Sequence, residues 1–459
     1  MIARRIMRGA AALLAATAAM PALAQAPAQT GAAGDWAIVN ARVAVGDGGA
    51  PIENGVVVAR GGRIVAAGAG VVVPAGVRVI DAGGKWVTPG LVIAVTDLGL
   101  VDVGAVSESN DDDADKAVFN AALDVSVAID PDAPPVAVSR AGGVTRAAVA
   151  PVAGNAIFAG QGAVIDLAAT ADPVTRARAF QYVELGERGA SLAGGSRVAA
   201  QALLRNALRE ARELDRRAGL SAPGVAGSDP RMVQSTQGQA TDTLLTRFDA
   251  AALVPVVAGR QPLYVHVDRA ADIRATLALK REFPALRLVV VGAAEGWRVA
   301  GELAAAQVPV IAAALTDLPG RFETLAATQS NVGRMKKAGV KVAIGNFYDG
   351  EQPRYAPQYA GNLVGVARVP GATGLTWGEA LAAITSVPAE IIGEGDHFGS
   401  LKPGRAADVV VWDGDPLELT SGVVAVYVDG VAQSLVNHQT RLRDRYRHPQ
   451  EGSLPKAYE

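Results

Sequence analysis

The sequence predicts an α/β protein: a (β/α)8 TIM-like barrel that carries a small composite β-sandwich domain built from both chain ends. Two patterns support this prediction. Between residues 90 and 398, short apolar runs alternate with helical patterns, as expected for parallel strands that helices cover on both faces. On either side of that region, short β-branched runs are separated by glycine turns. About 300 residues of alternating strand and helix favour a closed barrel over an open doubly wound sheet.

The composition indicates a well-buried globular protein that does not bind nucleic acid. Half of the 459 residues are apolar, 19% are charged, and 43 Lys and Arg balance 45 Asp and Glu. This balance excludes a strongly basic nucleic-acid groove. The chain has no Cys and four His, so the side chains that build most zinc sites are scarce.

The first 24 residues have the pattern of a secretory signal peptide. Arg4, Arg5 and Arg8 precede a short apolar run, and the small residue Ala24 ends it. The run is too short to span a bilayer, and Gln25 follows where a lipoprotein would carry Cys. We therefore expect a secreted, periplasmic protein without a membrane anchor.

The two chain ends predict one β domain, residues 25–89 plus 399–435. Short β-branched runs at 37–43, 55–58, 63–65 and 77–80 are separated by glycine turns. The same pattern of short β-branched runs and glycine turns recurs from residue 407 to residue 431. Residues 436–459 form a polar, basic tail, for which an exposed element packed on the barrel is the simplest interpretation.

The predicted barrel, residues 90–398, contains six clear strands, so the strand count is incomplete. The apolar runs that predict them are residues 90–98, 144–149, 263–267, 287–291, 308–312 and 340–344. Helical spacing from Leu204 to Leu214 predicts a helix capped by Ser196. Glycine-rich residues 154–162 are interpreted as a loop that folds over the barrel mouth as a lid.

An acidic segment follows the first barrel strand. It contains Glu108, Asp111, Asp112, Asp113 and Asp115. Its spacing does not match an EF-hand, so a solvated loop is favoured and a calcium site stays open as an alternative.

Four segments together resemble the amidohydrolase superfamily, in its imidazolonepropionase-like branch. They are residues 80–91 (IDAGGKWVTPGL), 143–146 (GVTR), 160–162 (GQG) and 398–408 (FGSLKPGRAAD). The resemblance implies a barrel hydrolase that acts on non-peptide C–N bonds through one or two divalent ions. Such ions polarise a carbonyl and acidify a bound water.

The resemblance also places the metal ligands. A His-x-His pair would close the first strand, and the matching residues are Val95 and Asp97. A further His on a middle strand is kept as His266. Valine offers no lone pair, and one carboxylate does not replace two imidazoles.

The last two implied ligands are also missing. The next His corresponds to Gly292, and the metal-binding Asp corresponds to Phe347, with Asp349 two residues further on. One His and one substitute carboxylate fall short of the three ligands that a catalytic zinc site presents. We therefore expect no metal centre and no other cofactor.

Three function classes stay open, so the sequence does not decide whether the protein is an enzyme. The favoured one is a catalytically silent family member that binds a small molecule or a partner, such as an active homologous subunit or a second copy. The alternative is an active hydrolase of cyclic amides or dipeptide-like substrates, centred on Asp97 and His266, with zinc as its cofactor or with a metal-free acid/base pair. The third is a structural protein defined by its oligomer interface. The candidate site residues of the alternative are Asp97, His266, Asp268, Glu295 and Asp349.

Each candidate also has a purely structural interpretation. A lone His at the end of an apolar strand is more often hydrogen-bonded to a neighbour, here Asp268, than bound to a ligand. Glu295 lies early in a predicted helix, where the helix dipole alone favours an acid.

Overall fold

The computed structural model describes residues 34–221, 243–345, 347–348 and 352–447. The predicted signal peptide, Asp349 and the end of the tail lie outside the described residues. The strands, numbered in chain order, are β1 (Trp36–Val43), β2 (Ile52–Arg60), β3 (Arg63–Gly68), β4 (Arg78–Asp81), β5 (Trp86–Pro89), β6 (Leu91–Thr96), β7 (Val144–Val149), β8 (Phe158–Asp166), β9 (Val174–Glu184), β10 (Leu263–Val267), β11 (Leu288–Gly292), β12 (Val310–Ala312), β13 (Val342–Ile344), β14 (Val409–Trp412), β15 (Val423–Val428) and β16 (Val431–Ala432).

Helices connect most of the later barrel strands. They are α1 (Pro134–Ala141), α2 (Gly186–Leu192), α3 (Arg197–Ser221), α4 (Arg247–Val257), α5 (Ala270–Leu277), α6 (Leu279–Glu282), α7 (Ala300–Ala305), α8 (Asn331–Lys337), α9 (Ala356–Val366), α10 (Trp377–Ala382), α11 (Ser386–Ile391) and α12 (His438–Tyr446). The predicted cap is present, because Ser196 Oγ accepts a hydrogen bond from the Ala199 N–H at 3.1 Å. The helix α3 extends to Ser221, beyond the run from Leu204 to Leu214 that predicted it.

Strands from both chain ends pair in one sheet, which confirms the predicted composite β domain. The strand order is β16-β15-β14-β5-β1-β2-β3, and β4 pairs with β1. The two ends join where β14 runs antiparallel to β5, with Trp412 opposite Trp86. Buried Trp36, Ile38 and Val409 belong to the core of this sheet.

The second sheet forms the barrel, with the strands β6 to β13 in sequence order. Its first and last strands meet at a bridge between Thr96 and Phe347, and the Phe347 N–H donates to Val95 O at 2.9 Å. The (β/α)8-like barrel is therefore confirmed, and all six predicted runs correspond to strands.

The barrel departs from eight parallel strands at β8, which runs antiparallel to both neighbours, β7 and β9. The interpretation of residues 154–162 as a lid is therefore wrong for Phe158 onward. A Cβ on Gly162 would lie 2.1 Å from the Phe180 ring, and Gly160 has φ +134°. These glycines let β9 side chains approach β8 closely, which is a common reason for glycine within a strand.

Apolar side chains fill the inside of the barrel. The rings of Phe180 and Tyr264 stack at 4.2 Å between centroids. Val92, Val289 and Ile311 belong to the same buried cluster. The barrel is thus a packed core, and its polar groups lie at the mouth, where the parallel strands end.

The predicted tail and acidic segment both lie at the surface. Within the tail, α12 has no buried residue. In the acidic segment Asp112 is half-buried, and burial together with the charges of Asp113 and Asp97 raises the pKa of its carboxyl group. Among the described residues, none of the helices combines the length and the apolar character needed to cross a membrane.

Candidate active site at the barrel mouth

A histidine and a glutamate pair at the mouth, on adjacent parallel strands. His266 on β10 lies opposite Glu184 at the end of β9. The imidazole Nδ1 lies 2.8 Å from Glu184 Oε1 and 3.0 Å from Oε2. Both side chains are largely buried, with 14% and 10% of their surfaces exposed.

Glu184 controls the protonation of His266. Burial alone would lower the pKa of this imidazole, but the charge and hydrogen bond of Glu184, together with the charge of Asp268, raise it to about 9. The ring is therefore a buried imidazolium at neutral pH. Both of its nitrogens then act as hydrogen-bond donors.

The other ring nitrogen of His266 faces Gly292, the position where the resemblance implies a second histidine. Gly292 has φ +87°, and a Cβ built there would lie 2.9 Å from His266 Nε2 and 2.7 Å from Asp268 Oδ1. Any side chain at this position would collide with the two polar groups beside it. A side chain at residue 292 would therefore require His266 and Asp268 to shift, in addition to the strain of its positive φ.

Two further ligand positions carry apolar side chains that are packed away. Val95 is completely buried within the cluster that fills the barrel. Phe347 is 3% exposed and stacks on Tyr359 of α9, with 5.5 Å between ring centroids. Neither residue presents a donor atom to the mouth.

Asp97 lies at the mouth near a pair of tyrosines. It is 3% exposed, and its charge contributes to raising the pKa of Tyr348. Tyr348 and Tyr182 are hydrogen-bonded to each other, and burial raises the pKa of both phenols. The two hydroxyls therefore stay neutral throughout the physiological pH range.

Asp268 and Glu295 hold loops in place. Asp268 Oδ1 accepts the Ala294 N–H at 3.0 Å, and its Oδ2 accepts Arg321 Nη2 at 2.8 Å. The two oxygens of Glu295 accept the backbone N–H groups of Ala270 and Ala326, at 3.1 and 3.0 Å. These bonds use both oxygens of each carboxylate, and those of Glu295 link separate loops and are not made to its own helix.

Several charged residues at the rim of the mouth were not predicted from the sequence. Arg321 lies 3.4 Å from Glu323, and Arg197 lies 3.7 Å from the same carboxylate. The Glu187 N–H also donates to Glu323, at 2.7 Å. Burial raises the pKa of Glu323. Ion pairs and backbone N–H groups therefore surround the Glu323 carboxylate.

The residues at the mouth do not fit a divalent metal ion. Among residues 34–221, 243–345, 347–348 and 352–447, no three His, Cys, Asp or Glu side chains are grouped so that they could hold one. A catalytic zinc needs three protein ligands and an open position. Of the five sequence candidates, the structure brings His266 and Asp268 together beside Gly292, whereas Asp349 lies outside the described residues.

Comparisons with known proteins agree with this fold. Residues 236–432 match the model of an amidohydrolase family. The chain is 37% identical over 109 residues to an imidazolonepropionase of Chromobacterium violaceum, which covers 23% of this chain and 25% of that protein. It is 47% identical over 60 residues to Amidohydrolase tasK of Hapsidospora irregularis, which covers 13% of this chain and 6% of that protein.

These sequence matches are partial, whereas the structural match is broad. The chain spans between 6% and 30% of the length of the curated relatives that it matches. A crystal structure of an amidohydrolase from Thermotoga maritima MSB8 superposes with a TM-score of 0.74 at 22% identity, covering 86% of this chain and 99% of that one. At this identity the match supports the fold alone.

Proposed function

This chain belongs to the amidohydrolase superfamily, in the branch similar to the imidazolonepropionases, and from that premise we propose that it is an exported member without a metal centre. In this proposal it holds no other cofactor. It binds a small molecule or a protein partner in the periplasm and does not hydrolyse a C–N bond. It is thus a pseudoenzyme on a hydrolase scaffold.

The observation that carries the proposal is the contact between His266 and Gly292. His266, the one family histidine that the resemblance finds in this chain, binds Glu184 through Nδ1. Its Nε2 lies 2.9 Å from where a Cβ on Gly292 would be, and Gly292 has the positive φ that disfavours any other residue. Rebuilding a metal site would require a different backbone at residue 292 as well as new ligands. Val95 and Phe347 support the same proposal, because they are two further implied ligand positions that carry buried apolar side chains.

In this proposal the mouth binds a ligand but does not catalyse a reaction on it. Arg321, Glu323 and the His266 imidazolium provide hydrogen-bond donors and acceptors around the mouth, and ion pairs hold Arg321 in place. Such fixed polar groups orient a small molecule or a protruding partner loop. A homologous subunit with a complete ligand set, or a second copy of this chain, is the partner class that we propose.

Two measurements on the mature protein test the proposal. We expect no hydrolysis of a panel of cyclic amides and dipeptides with added zinc or manganese, while a ligand-complete amidohydrolase assayed in parallel is active. Affinity capture from a periplasmic extract should recover a partner or bound small molecule. Arg321→Glu should weaken that capture, whereas the exposed tail change Arg443→Glu should not. Metal-stimulated turnover would overturn the proposal.

One observation favours a second candidate function, a metal-free hydrolase. Glu184 and His266 form a carboxylate–imidazolium pair beside Asp97 and the two tyrosines. In this function Asp97 takes a proton from a water molecule whose oxygen bonds to the amide carbonyl carbon, and His266 Nε2 gives its proton to the nitrogen as the C–N bond breaks. This function predicts cyclic-amide turnover that chelators leave unchanged and that His266→Gln abolishes. The absence of turnover in the wild-type chain would rule it out.

A further inference from the structure

A cavity of about 540 Å³ opens at the end of the barrel opposite the mouth. It lies where β10, β11, β12 and β13 begin, and its walls include residues of α6, α7 and α11. No residue discussed at the mouth lines it. Its volume falls in the range of small-molecule sites in proteins, about 300–1,000 Å³.

The inner wall of this cavity is apolar. Leu286, Leu288, Leu303, Val308 and Ile391 line it, and each is at most 5% exposed. These side chains come from separate elements of the barrel, and their packing in the hydrophobic core fixes their positions. The cavity therefore offers a small apolar area, bordered by a larger polar area, to the body of a ligand.

Unpaired positive charge surrounds the apolar wall. Lys280 Nζ donates to the Ala306 carbonyl at 3.1 Å, and within the described residues neither Lys280 nor Arg287 forms an ion pair. Lys341 is paired with Glu390 at 2.5 Å. Since Glu390 is the one acidic residue among those that line the cavity, the lining carries a net positive charge.

We propose that this cavity binds a small organic anion: a compact apolar or aromatic body with one carboxylate or comparable oxyanion. The body would lie against Leu288 and Leu303, and the oxyanion would accept hydrogen bonds from Lys280 and Arg287. Apolar pockets with a few placed polar groups are the usual form of small-molecule sites. An ammonium and a guanidinium without carboxylate partners suit an oxyanion. This site is separate from the one proposed at the mouth.

Titration calorimetry with three probes tests the ligand class. We expect 1-naphthoate to bind one per chain, its neutral isostere 1-naphthamide to bind at least about tenfold more weakly, and inorganic phosphate not to bind measurably. Tenfold corresponds to the loss of about one charge-assisted hydrogen bond. Equal binding of naphthoate and naphthamide, or no binding of naphthoate, would overturn the proposal.

Variants place the binding in this cavity. Lys280→Gln and Arg287→Gln should each weaken naphthoate binding at least about tenfold, at a cost of roughly one charge-assisted hydrogen bond. Arg281→Gln is the matched control, because this exposed neighbour of Lys280 does not line the cavity and should leave the affinity unchanged.

A third variant tests the apolar wall without removing charge. Ala304→Phe should fill the cavity and abolish binding, with thermal melting confirming that the variant is folded. If an unfolded Ala304→Phe prevents this test, the charge variants decide the outcome alone. Unchanged affinity in Lys280→Gln and Arg287→Gln would contradict the proposal.

Discussion

The two ends of the barrel differ in how their charges are used. At the mouth, Asp268, Glu295 and Glu323 accept hydrogen bonds from backbone N–H groups, and Asp268 and His266 are held in ion pairs. At the opposite end, Lys280 and Arg287 have no carboxylate partner within the described residues. A barrel active site normally lies at the mouth. In this chain the charged groups at the mouth are paired with one another or with backbone N–H groups, whereas the described residues at the other end include two cations without a carboxylate partner.

The proposed loss of catalysis is compatible with an intact fold. The core layers stabilise the barrel from inside, whereas metal ligands project from the strand ends. Val95 and Phe347 extend the core into positions that ligands would occupy. The following predictions test whether the mouth now contributes stability in place of catalysis.

The largest expected effect is at Gly292. Gly292→Ala should lower the free energy of unfolding by about 3 kcal/mol or more, because the residue has φ +87° and its Cβ would collide with His266 and Asp268. Chemical denaturation measures this. Gly301→Ala in α7 is the control: nothing lies near its Cβ, and we expect no loss. Equal effects of the two changes would contradict the packing at residue 292.

The next largest effect is at Glu184. Glu184→Gln leaves His266 buried beside an uncharged partner, so the unfolding free energy should fall by about 2–4 kcal/mol and the pKa of His266 should drop from about 9. Denaturation and an NMR titration of the imidazole measure the two quantities. His397, whose side chain is 70% exposed beside Glu394, provides the contrast, and His397→Gln should cost less than about 0.5 kcal/mol. An unshifted His266 pKa in Glu184→Gln would argue against the ion pair.

The pH dependence of stability follows from the same pair. The pKa of His266 is raised from 6.5 to about 9 in the folded chain, so its contribution is complete below pH 6.5 and is lost as the pH rises through 9. We expect up to about 3 kcal/mol of stability to disappear over this window. His266→Gln should flatten the profile between pH 6.5 and 9.5. Identical profiles for the two proteins would refute this assignment.

The smallest effect is expected on the exposed tail helix. Arg443 contacts Asp444 at 2.8 Å, and both side chains are about 60% exposed. Arg443→Gln should change the unfolding free energy by less than about 0.5 kcal/mol. Denaturation in parallel with Glu184→Gln tests the contrast between the surface and the mouth.

Most of the barrel could be predicted because strands buried on both faces give continuous apolar runs. This holds for β6, β10 and β11. The strands β8 and β9 were missed for two reasons. The strand β8 contains glycines that resemble a loop, and β9 begins with the polar run Thr175 to Arg178, part of which faces solvent.

The site was predictable in part. His266 was found through the resemblance, which also predicts that ligands are missing at Val95, Gly292 and Phe347. Glu184 was missed because the strand that it ends was missed, although an acid closing the run Phe180 to Val183 was an available signal. Arg321 lies in a loop and reaches Asp268, 53 residues away in the chain. Such a contact depends on tertiary structure and leaves no local pattern.

The metal content of the purified mature chain tests the central claim most directly. Elemental analysis of protein prepared without chelators, and again after dialysis against zinc, should find less than about 0.1 divalent ion per chain, because a stable zinc site needs three or more converging ligands. One ion per chain that is retained through dialysis and lost in His266→Ala would show a working metal centre at the mouth and contradict the account.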